Sequence, residues 1–145
     1  MAHNTLISAL AWSGSLPFLA ATVLQYVNTP LLTIPANTWF TTYSLLILTF
    51  MAGALWGHGM LHAQANRRVA CLLISNVVVI SAWLAFLLAP VVLMLVIAML
   101  GFIVIWICEL VWGELGSIAK HYLVLRTRVT AWVLVLHAFM AILLI

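Results

Sequence analysis

Five polar side chains interrupt the apolar runs of a chain in which charged residues make up only 5%: His58, Asn76, Glu109, Arg126 and His137. An ionisable residue near the centre of a membrane-spanning helix costs about 2.5–3.5 kcal/mol on insertion scales, so each needs a structural or functional reason. With a rise of about 1.5 Å per helical residue, all but Arg126 fall in the same half of a membrane. We therefore treat these five residues as one candidate polar cluster.

Two interpretations of this polar cluster stay open. In the first, the side chains share one pocket, in which Arg126 pairs with Glu109. In the second, each residue meets a local need: Glu109 extends toward the membrane surface, and the histidines donate hydrogen bonds to backbone carbonyls. The two interpretations differ in the contacts that they predict for each residue.

The same residue types could in principle serve metal binding, haem binding or hydrolysis. His58 and His62 have the four-residue spacing of a metal pair, but His62 falls in a predicted link and no acidic third ligand lies nearby, so we predict no metal. A b-type haem needs axial histidines at matched depth, which His58 and His137 roughly provide. Haem b, or a quinone in the same cluster, is therefore an alternative to having no cofactor. With two acidic residues and no nucleophile–base pattern, we predict no catalytic residues.

The elements that hold these side chains must be membrane-spanning helices. Hydrophobic residues make up 68% of the 145 residues and charged residues 5%, whereas about a quarter of the residues in a soluble domain are charged. Backbone groups in a bilayer pair only within helices or closed barrels, and these unbroken apolar runs lack the alternation of barrel strands. We predict a single all-α integral membrane domain, 1–145. Its bundle of five transmembrane helices covers about 5–27, 39–61, 69–88, 91–112 and 129–145.

The basic residues predict an orientation for this bundle. All five Lys and Arg residues lie in two links, 62–68 and 113–128, on the same side as the N-terminus. The positive-inside rule makes that side cytoplasmic (or the matrix side in an organelle) and puts the C-terminus outside. Because these few charges have a membrane explanation, we expect a lipid bilayer and no nucleic acid as partner. The uncharged 28–38 connection, with Pro30 and Pro35, predicts an extended loop.

Small residues and a proline mark two expected packing features. Gly53 and Gly57 are four apart on the second predicted helix, so one helix face has room for another backbone. Pro17 interrupts the first predicted helix, bends it and frees a backbone carbonyl. A neighbouring helix or a serine hydroxyl must then bond that carbonyl. We expect a packing kink at this bend, with a cavity as the alternative.

Three blocks of the sequence carry a resemblance to a known family. They are Leu16-Pro17-Phe18, the segment YSLLILTFMAGALWG that begins at Tyr43, and YLVLRTRVT at 122–130. In this order they resemble domain of unknown function 3429, a family of small multi-pass membrane proteins related to eukaryotic transmembrane protein 69. The resemblance implies a five-helix inner-membrane protein of bacteria or mitochondria. It implies no reaction.

The third block contains a helical stripe. Tyr122, Arg126 and Thr130 are each four residues apart, so they share one face of a continuous helix. With Leu125, they are the positions that match the family's Tyr-x-x-Leu-Arg-x-x-Leu-Thr pattern. We expect Arg126 to turn into the bundle toward Glu109 or Glu114, while the neighbouring basic residues serve the orientation of the chain.

We expect a small non-enzymatic membrane protein that acts as an accessory or assembly subunit of a larger inner-membrane complex, for instance a respiratory one. Its small size, short connections and lack of catalytic patterns favour this function, and other membrane subunits would be its partners. One alternative is a redox component that binds haem or quinone. Another is a small transporter or proton path through the polar residues. The expected location is a bacterial inner membrane, or the mitochondrial inner membrane in a eukaryote.

Overall fold

Six α-helices make up most of the part of the chain that the structure describes. The structure is a computed structural model that describes residues 2–61, 64–112 and 117–145, with the side chains of 5–61, 64–112 and 122–145. The helices are α1 (Ala2–Ser13), α2 (Leu16–Tyr26), α3 (Ala36–Leu61), α4 (Ala65–Leu88), α5 (Val91–Trp112) and α6 (Ser117–Leu143). Together α1 and α2 supply one apolar span, Thr5–Tyr26, and each later helix supplies another. For the described residues, an all-helical architecture with five segments long and apolar enough to cross a membrane is thereby confirmed.

Helices α4 and α6 begin earlier in the chain than the apolar runs predict. The helix predicted at 91–112 matches α5, but α4 begins at Ala65 and α6 at Ser117, ahead of the predicted starts at 69 and 129. The apolar length that a bilayer needs defines only the part of a helix that lies inside the hydrocarbon. Arg and Lys are good helix formers, so the helices continue through the basic residues of both links.

A two-residue turn at Gly14 and Ser15 separates α1 from α2. Pro17 lies in the first turn of α2, where its missing N–H costs nothing because the first N–H groups of a helix have no intrahelical partner. Two serines bond carbonyls at the end of α1: Ser13 Oγ donates to Leu10 O (2.9 Å) and Ser15 Oγ to Trp12 O (2.8 Å). The proline therefore produces a break with a turn rather than a smooth bend.

The connection after α2 folds back on itself instead of forming the extended loop that its prolines predicted. Leu31 and Ile34 exchange two backbone hydrogen bonds, of 3.1 and 3.0 Å. The residues between them, Leu32 and Thr33, both have positive φ, at 50° and 68°, which is the conformation of a tight hairpin turn. Trp39 Nε1 donates to Leu31 O at 3.1 Å and ties this turn to the first turn of α3.

The helices divide into two compact units, Met1–Tyr43 with Glu114–Ile145, and Ser44–Gly113; the division falls inside α3. In the first unit, α6 packs along α1 and α2. Its core contains large side chains from α2, the start of α3 and the length of α6: Phe18, Phe40, Leu125, Leu136, His137 and Met140.

The second unit is built on the antiparallel pair of α4 and α5. Each helix presents a buried row in steps of four and three residues, at 71, 75, 78, 82 and 85 on α4 and at 94, 98, 101, 105 and 108 on α5. This spacing is typical of left-handed helix pairs. At Gly101 of α5 the absent side chain makes room for Leu48 and Val78, because a Cβ there would lie 2.9 and 3.1 Å from their methyl groups.

Candidate functional site

Four aromatic rings from three helices meet in the core of the first unit. Phe18 of α2 lies with its ring centroid 5.1 Å from Phe40, 4.9 Å from Tyr43 and 5.2 Å from His137. Phe40 and His137 are 4.7 Å apart and meet edge to face, at 72°. These distances and tilts are those of favourable aromatic pairs. We call Phe18, Phe40, Tyr43 and His137 the aromatic cluster.

His137 is the imidazole member of the aromatic cluster, and it is completely buried. Its Nδ1 lies 2.8 Å from Val133 O, one turn earlier on α6. A carbonyl only accepts hydrogen bonds, so Nδ1 carries the hydrogen in this contact. The imidazole is thus packed as an aromatic ring and bonded to its own helix, as the local-need interpretation predicted for the histidines.

Tyr43 connects the aromatic cluster to the break between α1 and α2. Its hydroxyl donates to Gly14 O at 2.8 Å. In an unbroken helix the N–H of Phe18 would bond this carbonyl, but the turn removes that partner. Proline breaks in membrane helices persist where a neighbouring helix satisfies the freed groups. The expectation that a neighbouring helix or a serine would do so matches the contacts at this break.

Replacing Tyr43 with Phe should destabilise the first unit by about 1–3 kcal/mol, since a carbonyl in an apolar setting would lose its donor while the ring packing is kept. The measurement is unfolding of the purified protein in mixed detergent micelles, followed by circular dichroism. Tyr26→Phe is the matched control because Tyr26 is exposed. Equal stability of the two variants would show that the bond to Gly14 contributes nothing.

The stripe of the third family block leads from the surface into the first unit. Tyr122 is exposed, Arg126 is half-buried, and Leu125 and Thr130 are buried. These residues lie on the continuous helix α6, which carries on to His137. Thr130 and His137 therefore lie on the same face of α6. His137, the member of the aromatic cluster on this helix, is about 10 Å further along the axis than Thr130, at 1.5 Å per residue.

The five residues of the predicted polar cluster are divided between the two compact units. Arg126 and His137 belong to the first unit and lie about 17 Å apart along α6, at 1.5 Å per residue. His58, Asn76 and Glu109 belong to the second unit, on α3, α4 and α5 in turn. The pairing of Arg126 with Glu109 stays a prediction, and Glu114 lies outside the described residues.

Within the second unit, His58 and Asn76 contact backbone carbonyls. His58 is exposed, and its Nε2 lies 3.4 Å from Trp112 O, at the end of α5 where carbonyls lack intrahelical partners. Asn76 is exposed, and its Nδ2 donates to Leu72 O at 2.7 Å. Because α4 packs on α5 with its opposite face, Asn76 does not join the half-buried Glu109 in one pocket.

The close helix contact on α3 lies at a different glycine from those predicted. Gly53 is exposed and Gly57 half-buried, and a Cβ on either would meet no described atom within 4 Å. At Gly59, by contrast, a Cβ would come within 2.5 Å of the Cβ of Cys71 on α4. Gly59 shares the buried face of α3 with Leu55, whereas Gly53 and Gly57 are each two residues from Leu55 and therefore lie about 160° away from it round the helix.

Cysteine and histidine side chains do not gather into a metal site in the described ranges. Those ranges contain no group of three or more His, Cys, Asp or Glu residues placed to hold a metal ion. Cys71 and Cys108 are free and buried, and Cys71 serves the contact with Gly59. His62 lies outside the described residues.

The aromatic cluster was not predicted from the sequence, because a buried histidine suggests polar partners rather than aromatic ones. Phe18 and Tyr43 each lie in a family block. One signal was available: Pro17 demands a donor near Gly14, and a tyrosine hydroxyl reaches further than a serine hydroxyl. Phe40 carries no such signal, since an aromatic residue at the start of a membrane helix also suits the interface.

Comparison with known proteins gives a family but no named relative. Residues 4–142 match the model of the family described as "Protein of unknown function (DUF3429)", which confirms the resemblance drawn from the three blocks. No curated protein and no solved structure matches the chain. The matched range includes the break at Gly14, the aromatic cluster and the Tyr122–Thr130 stripe. This multi-pass, apolar helical chain belongs to the DUF3429 family, whose function is unknown.

Proposed function

We propose that the protein is a non-enzymatic accessory or assembly subunit of a larger membrane complex. The observation that carries this proposal is the outward surface of its helices. Of each 18-residue spanning window, only 22–39% is buried within the chain. Most residues of every span are therefore at least partly accessible to lipid or to another protein, which leaves room for docking on several helices.

The use made of its buried polar groups supports a structural function. Thr22, Thr41 and Ser75 donate to backbone carbonyls of their own helices, at 2.8, 2.9 and 3.0 Å. His137 does the same through Nδ1. In the described chain no buried side-chain nitrogen or oxygen lacks a hydrogen-bond partner. Polar groups that are bonded within their own helices leave little hydrogen-bonding capacity for a substrate, and this favours a scaffold over a catalyst or a proton path.

The proposal includes an orientation and a location. Arg67 and Arg68 are exposed in the first turn of α4, where basic side chains oppose the helix dipole and gain nothing from it. Arg128 is exposed further along α6. A cytoplasmic or matrix headgroup layer would account for them. The N-terminus then lies inside and the C-terminus outside, in a bacterial inner membrane or a mitochondrial inner membrane.

Purification under native conditions tests the subunit proposal. The tagged protein is extracted into lipid nanodiscs without denaturing detergent, and co-purifying proteins are quantified by mass spectrometry. An unrelated multi-pass protein with the same tag serves as the control. We expect one or more different membrane proteins in near-stoichiometric amount, with respiratory subunits the first to look for. A preparation that holds this chain and lipid alone contradicts the proposal.

The same sample separates the redox alternative from the subunit proposal. A haem protein would show a Soret band in the visible spectrum, and a quinone protein would release quinone into an organic extract. We expect neither from washed nanodiscs. Either signal in stoichiometric amount would replace the non-enzymatic proposal with a redox function.

A further inference from the structure

Helix α4 carries two rows of residues in steps of four and three, of which the described chain covers one. The inner row is buried and faces α5: Cys71, Ser75, Val78, Ala82 and Ala85. The outer row is exposed at every position: Val69, Leu73, Asn76, Ile80, Trp83 and Leu87. The outer row begins two residues out of step with the inner one, so the two lie on opposite sides of the helix at about 100° per residue.

The outer row has the geometry of a helix-pairing seam. Steps of four and three residues average 3.5, the period at which two helices wind around each other with a left-handed crossing. The inner row uses this period to pack on α5, so α4 already has a shape suited to such pairs. Most outer-row side chains are aliphatic, and lipid would cover them equally well. Asn76 is the polar exception in this row, and a polar amide is expected at a contact between helices rather than on a surface that faces lipid.

The amide of Asn76 has hydrogen-bonding capacity left over inside the apolar span. It lies eight residues beyond Arg68, about 12 Å along the helix at 1.5 Å per residue, and therefore within a hydrocarbon core about 30 Å thick. One Nδ2 hydrogen bonds Leu72 O. An amide has a second hydrogen and an acceptor oxygen, and Oδ1 accepts no hydrogen bond from the described residues. Lipid chains satisfy neither group.

We propose that the outer row of α4 pairs with the outer row of α4 in a second copy of this chain, with Asn76 bonded to Asn76 across a two-fold axis. Two copies inserted in the same orientation carry Asn76 at the same depth, and their α4 helices run parallel. The spare hydrogen of each amide then donates to Oδ1 of the other, while both bonds to Leu72 remain. The contact is self-complementary, as a two-fold interface requires.

Other occupants fit the exposed amide less completely. A different membrane protein would need both a donor and an acceptor at this one depth, whereas a second copy supplies them by symmetry. A single asparagine in an apolar seam also fixes the register of a parallel helix pair. The proposal is independent of the subunit function, because a pair of copies leaves the other helices free to contact other proteins.

Association of the full chain in phosphatidylcholine–phosphatidylglycerol liposomes, measured by energy transfer between two dye labels, tests the proposal. We expect the wild type to form dimers. Asn76→Val should weaken them about tenfold or more, given the usual strength of hydrogen bonds between membrane helices. The matched control combines Asn76→Val with Val77→Asn, which keeps an amide at nearly the same depth but moves it about 100° off the seam. This double variant should be as weak as Asn76→Val.

Cysteine cross-linking supplies a second readout that does not depend on the amide. In a parallel two-fold seam each outer-row residue faces its own copy, so Ile80→Cys should cross-link under mild oxidation in membranes. Val77→Cys, exposed but off the seam, should not. Four results would overturn the proposal: monomeric wild type, undiminished dimers in Asn76→Val, wild-type affinity in the double variant, or Ile80→Cys that cross-links to another protein instead of to itself.

Discussion

Replacing Phe18 with Ala should unfold the first compact unit at a markedly lower denaturant concentration than the wild type requires. Phe18 is fully buried, and its ring touches those of Phe40, Tyr43 and His137. Each of the other rings has fewer ring contacts within the aromatic cluster: Phe40 and His137 have two each, and Tyr43 has one. Removal of the Phe18 ring therefore takes away ring contacts that join α2 to both α3 and α6, in the region where the chain already has a break.

The expected size of this effect follows from how membrane proteins are held together. A buried Phe→Ala change in a soluble protein costs about 3–5 kcal/mol, as a sum of apolar transfer and cavity terms. Between helices already in lipid the transfer term is small, because lipid chains are as apolar as the protein core. The packing contacts and the aromatic pairs, each worth about 0.5–1.5 kcal/mol, are still lost. We expect a loss of about 2–3 kcal/mol.

Phe50→Ala is the matched control for this experiment. Phe50 is 75% exposed, so its truncation should change the free energy of unfolding by less than about 0.5 kcal/mol. Unfolding by sodium dodecyl sulfate in mixed micelles, followed by near-ultraviolet circular dichroism, measures both variants. If Phe18→Ala and Phe50→Ala unfold at the same midpoint, the aromatic cluster does not stabilise the first unit.

The number and kind of spanning segments could be predicted because a bilayer imposes a length and a composition on them. An apolar run such as 91–112 has one stable solution in lipid, a helix, and α5 begins and ends at those residues. The same argument says nothing about residues at a helix end that leave the hydrocarbon. That is why the starts of α4 and α6 were placed too late: Arg67 and Arg128 are compatible with both helix and loop.

The side chains that face inward could not be predicted from the same pattern. In a soluble helix, polarity marks the outer face, whereas α3 is apolar on both its buried and its exposed sides. Gly53, Gly57 and Gly59 are therefore equivalent in the sequence, and only packing distinguishes Gly59. A polar residue inside an apolar span, such as His137, can form its hydrogen bond on its own helix. Its bond to Val133 and its aromatic neighbours needed the structure.

Replacing Gly59 with Ala should separate α3 from α4 and destabilise the second unit by about 1–3 kcal/mol, the usual cost of forcing extra atoms into a packed core. The added Cβ would lie 2.5 Å from the Cβ of Cys71. Both atoms are fixed to helix backbones, so no change of rotamer relieves the overlap. The helices must move apart, and small residues at such contacts are what allow membrane helices to pack closely.

Two further variants make this result specific to the contact. Gly57→Ala adds the same methyl group where no described atom lies within 4 Å, so it should leave stability unchanged or raise it slightly through helix propensity. Adding Cys71→Gly to Gly59→Ala removes the opposing Cβ and should recover part of the loss, although a second helical glycine costs up to about 1 kcal/mol. Unfolding in mixed micelles compares all three with the wild type. If Gly59→Ala and Gly57→Ala are equally stable, then α3 and α4 are not in close contact at Gly59. The prediction that Gly53 and Gly57 mark the packed face of α3 would then stand.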